Sequence, residues 1–185
     1  MSNLHSMTSN HEAIIKLFKV SHNRASIIEP QSVILPGGNA PMVRRSQGGE
    51  REVLSLSWGS VLLPKDKAPK RVTNFRDDKL RSAFWFGSLR ERRCLVPVTS
   101  FAEPKGKKPA IWHWFALNEA REPFAFAGNW RRYEESIRKD RSTVKIDTFS
   151  FMTTKLCALR LIGKRRSSIN GLQDSHVCRA LMRWA

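Results

Sequence analysis

Three stretches carry residue types that could do chemistry. The first is the terminus, "MSNLHSMT", where the small hydroxyl residue Ser2 directly follows Met1. Methionine removal is permitted before a small residue, which makes Ser2 the expected mature N-terminus. An α-amine has a reference pKa near about 7.7–8.0, so part of it is unprotonated at neutral pH and can attack an aldehyde to form a Schiff base. A nucleophilic side chain on the same residue adds a second reactive atom, and paired amine and side-chain nucleophiles are a known catalytic device. The plainer reading of the same residues is a frayed tail. The second stretch is "VTNFRDD". Asn74 and Arg76 are two apart, which in extended chain places both side chains on one face. Arg76 could hold a phosphate and Asn74 could orient a carbonyl or sugar oxygen; equally, the pair could be a helix-entry Asn and a solvated Arg. The third is "RRCLVPVTSFAEP", an apolar strand running out into Thr99, Ser100, Phe101 and Glu103. A carboxylate among apolar neighbours at a strand end is a candidate general acid or base with a raised pKa. A surface glutamate ahead of Pro104 fits the sequence as well.

These residues must be positioned by ordinary elements. Ser9 and Glu12 have capping-box spacing, and Ile14, Leu17 and Phe18 share a face, so the pattern predicts an amphipathic helix over 10–20. Residues 21–50, rich in Pro and Gly, read as loop. "EVLSLSW" alternates Leu54, Leu56 and Trp58 with serines and reads as a strand, and "PKDKAPKR" at 64–71 as a basic loop. "DDKLRSAFWF" reads as a helix opened by Asp77 and Asp78, with Leu80, Ala83 and Phe84 sharing a face. "RCLVPV", "AIWHWFAL", "PFAFAGNW" and "IDTFSFMTT" read as strands, with Trp112, Trp114, Phe124, Phe126, Phe149 and Phe151 as core. The sum is an α+β domain, β-rich with a few short helices.

Bulk properties narrow the class. A chain of 185 residues fits one domain with a real core. Lys plus Arg number 33 against 16 Asp plus Glu, a formal charge of +17, which favours polyanionic partners, nucleic acid foremost. The three cysteines, Cys94, Cys157 and Cys178, form no CxxC pair, which argues against a zinc site and for a reduced, cytoplasmic setting. The terminus has no basic-then-apolar signal pattern, and no apolar run approaches the roughly 20 residues of a membrane span.

Taken together, "MSNLHSMT", "SLSWG" at 55–59, "VTNFRDD" at 72–78, "RRCLVPVTSFAEP" at 92–104, "FAFAGNW" at 124–130 and "FMTT" at 151–154 resemble the SRAP family, the SOS-response-associated peptidases that process abasic sites. The resemblance runs from residue 1 to about 154. It implies a single compact domain with a barrel-like β core, a basic groove for single-stranded DNA, and no metal or other cofactor. It implies reaction of the N-terminal residue with the aldehyde of an abasic site to give a DNA–protein crosslink. By the same resemblance, Asn74 matches the family's asparagine, Glu103 its catalytic glutamate, Arg76 its phosphate-binding arginine, and Trp58 a tryptophan lining the DNA groove. The implied setting is a cytoplasmic, nucleoid-associated monomer acting in the DNA damage response, with peptidase, hydrolase or lyase activity and no membrane partner.

Two departures bear on activity. Position 2 is serine where the family has cysteine, so its hydroxyl closes only an oxazolidine, which hydrolyses far more readily than a thiazolidine. The family's histidine is also missing: its slot falls near Lys164, and His176 lies too far along. The segment 155–185 carries seven Lys and Arg against Asp174 alone and departs from the family pattern, as a divergent or frameshifted remainder of the domain would. The expectation is therefore an impaired abasic-site processing protein. The alternatives are a pseudoenzyme that only binds single-stranded DNA, or a non-functional truncated product whose lost strand leaves an open edge.

Overall fold

Alternation in "REVLSLSW" buries Val53, Leu56 and Trp58 and builds the strand around which the fold closes. The structure is a computed structural model that describes residues 4–26, 28–65, 68–106, 109–136 and 143–153, with 135–136 and 143–144 described by backbone only. In chain order the strands are β1 (Leu4–Met7), β2 (His22–Asn23), β3 (Gln31–Ile34), β4 (Asn39–Arg45), β5 (Arg51–Trp58), β6 (Ser60–Leu62) and β7 (Lys70–Val72). They continue as β8 (Asn74–Arg76), β9 (Arg93–Val98), β10 (Ser100–Lys105), β11 (Ile111–Ala116), β12 (Phe124–Ser136) and β13 (Thr143–Thr153). Helix α1 (His11–Phe18) follows β1, and α2 (Ala83–Glu91) precedes β9.

Strands β5, β4, β9, β12 and β13 pair in that order, and β13 returns to β5 in parallel at Thr148 opposite Ser57 and Phe149 opposite Trp58. The result is a closed five-stranded barrel, with β2 and β8 added in parallel at its flanks. A second sheet, ordered β11-β10-β1-β3, is carried by the chain that leaves β9 through Thr99 into β10. The core is one cluster in which Trp58, Val96, Val98, Phe149 and Phe151 of the barrel strands are fully buried together with Met7 of β1 and Ile14 of α1. A smaller cluster of Phe75, Trp85 and Met152 lies under α2. The expected α+β domain with a barrel core and few helices is the observed one, and no helix among the described residues is long and apolar enough to cross a membrane.

Several local expectations need correction. Residues 21–50 are not loop: they hold β2, β3 and β4. Their Pro and Gly mark two tight turns, one at Pro36–Gly38 and one at Gly48–Gly49, where Gly37 and Gly49 take φ of 89° and 86°. Between those turns Ala40, Met42 and Val43 are buried against β5 and β9. Helix α1 is capped by Asn10 rather than Ser9, its Oδ1 accepting from the Ala13 N–H at 2.9 Å. Asp77 and Asp78 open only a 3₁₀ turn, and α2 starts at Ala83; it buries Trp85 and Ser88, Phe84 and Leu80 pack half-buried against Trp85's cluster, and Ala83 is exposed. The basic segment 64–71 runs into β7 at Lys70. Trp112 and Trp114 are not core: β11 is the outer strand of its sheet, and both remain 40% exposed. Phe126, Phe149 and Phe151 are buried as expected, and Phe124 packs half-buried against them.

Barrel closure leaves no room at Gly128, where β12 passes between β9 and β13. A Cβ there would lie 2.6 Å from the Ser150 carbonyl oxygen and 3.2 Å from both Cys94 Sγ and Val96 Cγ2. The backbone carbonyl cannot swing aside as a side chain would. Gly128→Ala is expected to destabilise the barrel by about 2–3 kcal/mol or more, the scale of core overpacking, read as a lower midpoint in urea unfolding with an unchanged slope. A midpoint equal to the parent's would contradict this account of barrel closure.

Candidate functional site

The chain turns from β9 into β10 at Thr99, and a set of buried hydroxyls fixes β1 beside that turn. The Thr99 N–H donates to the Ser6 carbonyl at 2.8 Å. Ser6 Oγ shares hydrogen bonds with Ser100 Oγ at 2.6 Å and Thr99 Oγ1 at 3.1 Å. The Thr8 N–H donates to Thr99 Oγ1 at 3.1 Å. This explains the run of small hydroxyl residues in both segments: each satisfies a polar group that the crossing would otherwise bury unpaired. The register that results sets Leu4 opposite Ala102 and His5 opposite Phe101.

The beginning of β1 is thus held at the Glu103 end of β10. Ser2 lies outside the described residues; two peptide units separate it from Leu4, which limits its Cα to within about 7.6 Å of that of Leu4. Glu103 itself is half-buried. Directly across the antiparallel ladder from it stands His113 of β11, exposed, as Phe115 stands across from Phe101 with ring centroids 5.5 Å apart. Residues opposed in this way have Cβ atoms about 4.5–5.5 Å apart on one face. Sequence reasoning passed over His113 as part of an aromatic strand; the pairing of two neighbouring strands was the signal that could have found it.

Asn74 reaches the same region from the barrel side. It is buried on β8, opposite Phe151 of β13. Phe151 stacks on Trp58 with centroids 5.4 Å apart, and His5 packs edge-on against Trp58 at 4.3 Å and Phe151 at 5.9 Å. Glu103 lies two residues beyond Phe101, the ladder partner of His5. One aromatic cluster therefore has β1, Asn74 and the Glu103 strand around it. Arg76, the other half of the expected same-face pair, differs in environment: it ends β8, is exposed, and forms an ion pair with Asp78. A phosphate would have to share or displace that carboxylate.

Trp58 does not fit the groove-lining role carried over from the resemblance. Its side chain is 0% exposed and its Nε1 donates to the Thr73 carbonyl at 3.2 Å. An indole sealed inside the barrel has no face to offer a base; what it does is anchor β5 to the approach of β8. His5 beside it is fully buried, and neither ring nitrogen has a hydrogen-bond partner among the described residues. Burial alone lowers its pKa to about 3, so the ring is neutral at physiological pH.

Positive charge concentrates at the far end of β9 from Glu103. There Arg92, Trp130, Arg131 and Arg132 line a cleft, with the Arg44 guanidinium 4.2 Å over the Trp130 ring. Arg131 lies 4.0 Å over Phe84 and donates to its carbonyl; burial first, and Arg92 second, lower its pKa. Arg132 is held by Asp147 through two hydrogen bonds. Cys94 is buried within the barrel, which pushes its thiol far above the usual range and leaves it without reactive thiolate. Lys164, His176 and the rest of 155–185 lie outside the described residues.

Comparison with known proteins adds a family and a fold. The family model described as SOS response associated peptidase (SRAP) matches residues 1–169. Among solved structures, a protein from Bordetella bronchiseptica superposes with a TM-score of 0.61 at 20% identity, covering 82% of this chain and 72% of its own. A protein from Bacteroides thetaiotaomicron does so with a TM-score of 0.61 at 19% identity, over 82% and 67% of the two chains. A phage-related protein from Bordetella bronchiseptica gives 0.61 at 18% identity, over 82% and 68%. No curated protein matches.

Proposed function

Because the chain belongs to the SOS response associated peptidase (SRAP) family, we propose that it binds single-stranded DNA bearing an abasic site and reacts with the site's aldehyde through its N-terminal residue. The observation that supports this reading is the hydroxyl-fixed register of β1, which holds Leu4, the first residue of that strand, at the Glu103 end of β10. With Met1 removed, the Ser2 amine attacks C1′ of the open-chain sugar. The carbinolamine loses water to give an iminium, and each of these steps moves a proton. Glu103 takes and returns that proton, and His113 across the ladder serves as its partner where the family's own histidine is missing. Asn74 positions the terminus, and Arg76 with other cations holds the flanking phosphates. The Ser2 hydroxyl can close an oxazolidine, but that ring reopens readily, so the iminium persists long enough for β-elimination of the strand.

Denaturing electrophoresis after incubation with an abasic single-stranded oligonucleotide tests the reading. A shifted band is expected with borohydride and not without it. Glu103→Gln is expected to slow its appearance about 10²-fold or more, and His113→Gln by less, the scale of losing a positioned acid or base. No trapped band, with DNA binding intact, would sink the reaction and leave a protein that only binds. Ser2 in place of cysteine is the observation that favours that second reading.

A further inference from the structure

Among the described residues strand β11 is the outer member of its sheet, paired with β10 alone, and Ile111, Trp112, His113 and Trp114 are all exposed. Strand alternation sets Trp112 and Trp114 on one face, about 7 Å apart. Their ladder partners on β10 are Pro104 and Ala102, too small to cover an indole. The opposite face of β11 has its own occupation, His113 beside Glu103 and Phe115 against Phe101. Two neighbouring tryptophans, each 40% exposed, are costly to leave in water and mark a contact surface. The charge around them selects the partner. Between 104 and 116 the sequence has Lys105, Lys107 and Lys108 and no acidic residue, on a chain of formal charge +17. Flat aromatic faces in so basic a stretch of sequence suit a polyanion that also presents flat faces. A duplex hides its base faces in the stack, whereas a single strand offers them.

We propose that Trp112 and Trp114 form a base-stacking platform for the nucleotides of single-stranded DNA that flank the lesion, the role that burial denies to Trp58. The proposal rests on the DNA-binding part of the function proposed above. The platform occupies the face of β11 opposite the His113–Glu103 pair, so bases seated on it hold the DNA along the outer edge of the same sheet rather than against Glu103 itself. Stacking is tolerant of sequence, so the platform reads single-strandedness rather than base identity.

A lesion-free oligonucleotide separates binding from reaction. Fluorescence anisotropy with labelled single strands, across a salt series, is measured for the parent, Trp112→Ala, Trp114→Ala and the double Phe variant. Each Ala change is expected to weaken single-strand binding about tenfold, with the slope of log K against log salt unchanged, because no cation is removed. Lys105→Ala should instead reduce that slope by about 0.7. The double Phe variant keeps aromatic faces and should retain most of the affinity, which separates stacking from a general loss of fold. Ala variants that melt like the parent and bind like it would overturn the platform. So would a parent that sediments as a dimer and Ala variants that sediment as monomers with unchanged DNA affinity, since the occupant would then be a second copy. A parent with no single-strand affinity overturns both readings. Tryptophan-dependent binding without any trapped adduct supports the platform and removes only the reaction.

Discussion

Ser2→Cys is expected to turn a DNA adduct that survives denaturation only after borohydride into one that survives without reductant. In the proposed reaction the amine chemistry is common to both residues: either terminus would form an iminium with the open-chain sugar. What differs is the next step. A cysteine thiol, with a reference pKa near about 8.5, is a few per cent thiolate at neutral pH and an intrinsically strong nucleophile. It adds to the iminium carbon and closes a thiazolidine, which resists hydrolysis. The serine hydroxyl is essentially un-ionised at that pH, and its oxazolidine reverts. The substitution changes one atom at the terminus and leaves Glu103, Asn74 and the β1 register in place, so the comparison isolates ring closure. Denaturing gels with and without borohydride read it directly, and strand scission should fall as the stable ring removes the iminium. A Ser2→Cys protein that binds DNA yet shows no reductant-independent band would mean that the terminus does not reach the sugar, and would sink the proposed reaction for this chain.

The second large effect is on stability. His5→Phe is expected to stabilise the fold at neutral pH and to remove much of its sensitivity to mild acid. The imidazole sits edge-on to Trp58 and Phe151, fully buried, with neither nitrogen hydrogen-bonded among the described residues. Each orphaned buried polar group costs about 1–3 kcal/mol. A phenyl ring keeps the edge-to-face contacts and has no polar atom to satisfy. The pH dependence follows from the folded pKa of about 3 against the ordinary 6.5. Between those values the unfolded chain binds a proton that the folded chain refuses. Stability attached to this group is therefore complete above about pH 6.5 and is lost as pH falls toward 3, at up to about 1.4 kcal/mol per unit. Glu52, buried and paired with Arg24 and Arg44, is present in both proteins, so their difference isolates the histidine. Urea unfolding at pH 7, 6, 5 and 4 should give curves that diverge toward acid, with the Phe variant the more stable at each. Parallel curves would mean that the ring is hydrated or hydrogen-bonded and the burial argument is wrong.

Local pattern carried a good part of this reading and misjudged one kind of residue consistently. Strands β5, β9, β11, β12 and β13 stand where alternating or apolar runs place them, because a strand's two faces are written into neighbouring residues. Asn74, Arg76 and Glu103 can be named as candidates from sequence because the motifs that carry them are short and contiguous. Residues 21–50 misled because Gly and Pro punctuate hairpins as densely as they fill loops, and only pairing with β5 and β9 separates the two. The tryptophans misled for a related reason. "SLSW" and "IWHW" are both aromatic-rich strand segments, and nothing within either says how many neighbours its strand will have.

That number depends on contacts far apart in the chain. Trp58 is sealed because β13 returns to pair with β5 some ninety residues later, and Trp112 and Trp114 are open because nothing pairs beyond β11 among the described residues. The same distinction holds for the chemistry. Residue types, charge and the reactive character of a terminal amine belong to the sequence, since they are properties of single residues and short runs. Which histidine stands across from Glu103, which tryptophans face solvent and which end of the barrel receives β1 are properties of strand order and register. They follow from closing the barrel, where one pairing between distant segments settles the burial of every side chain along both strands.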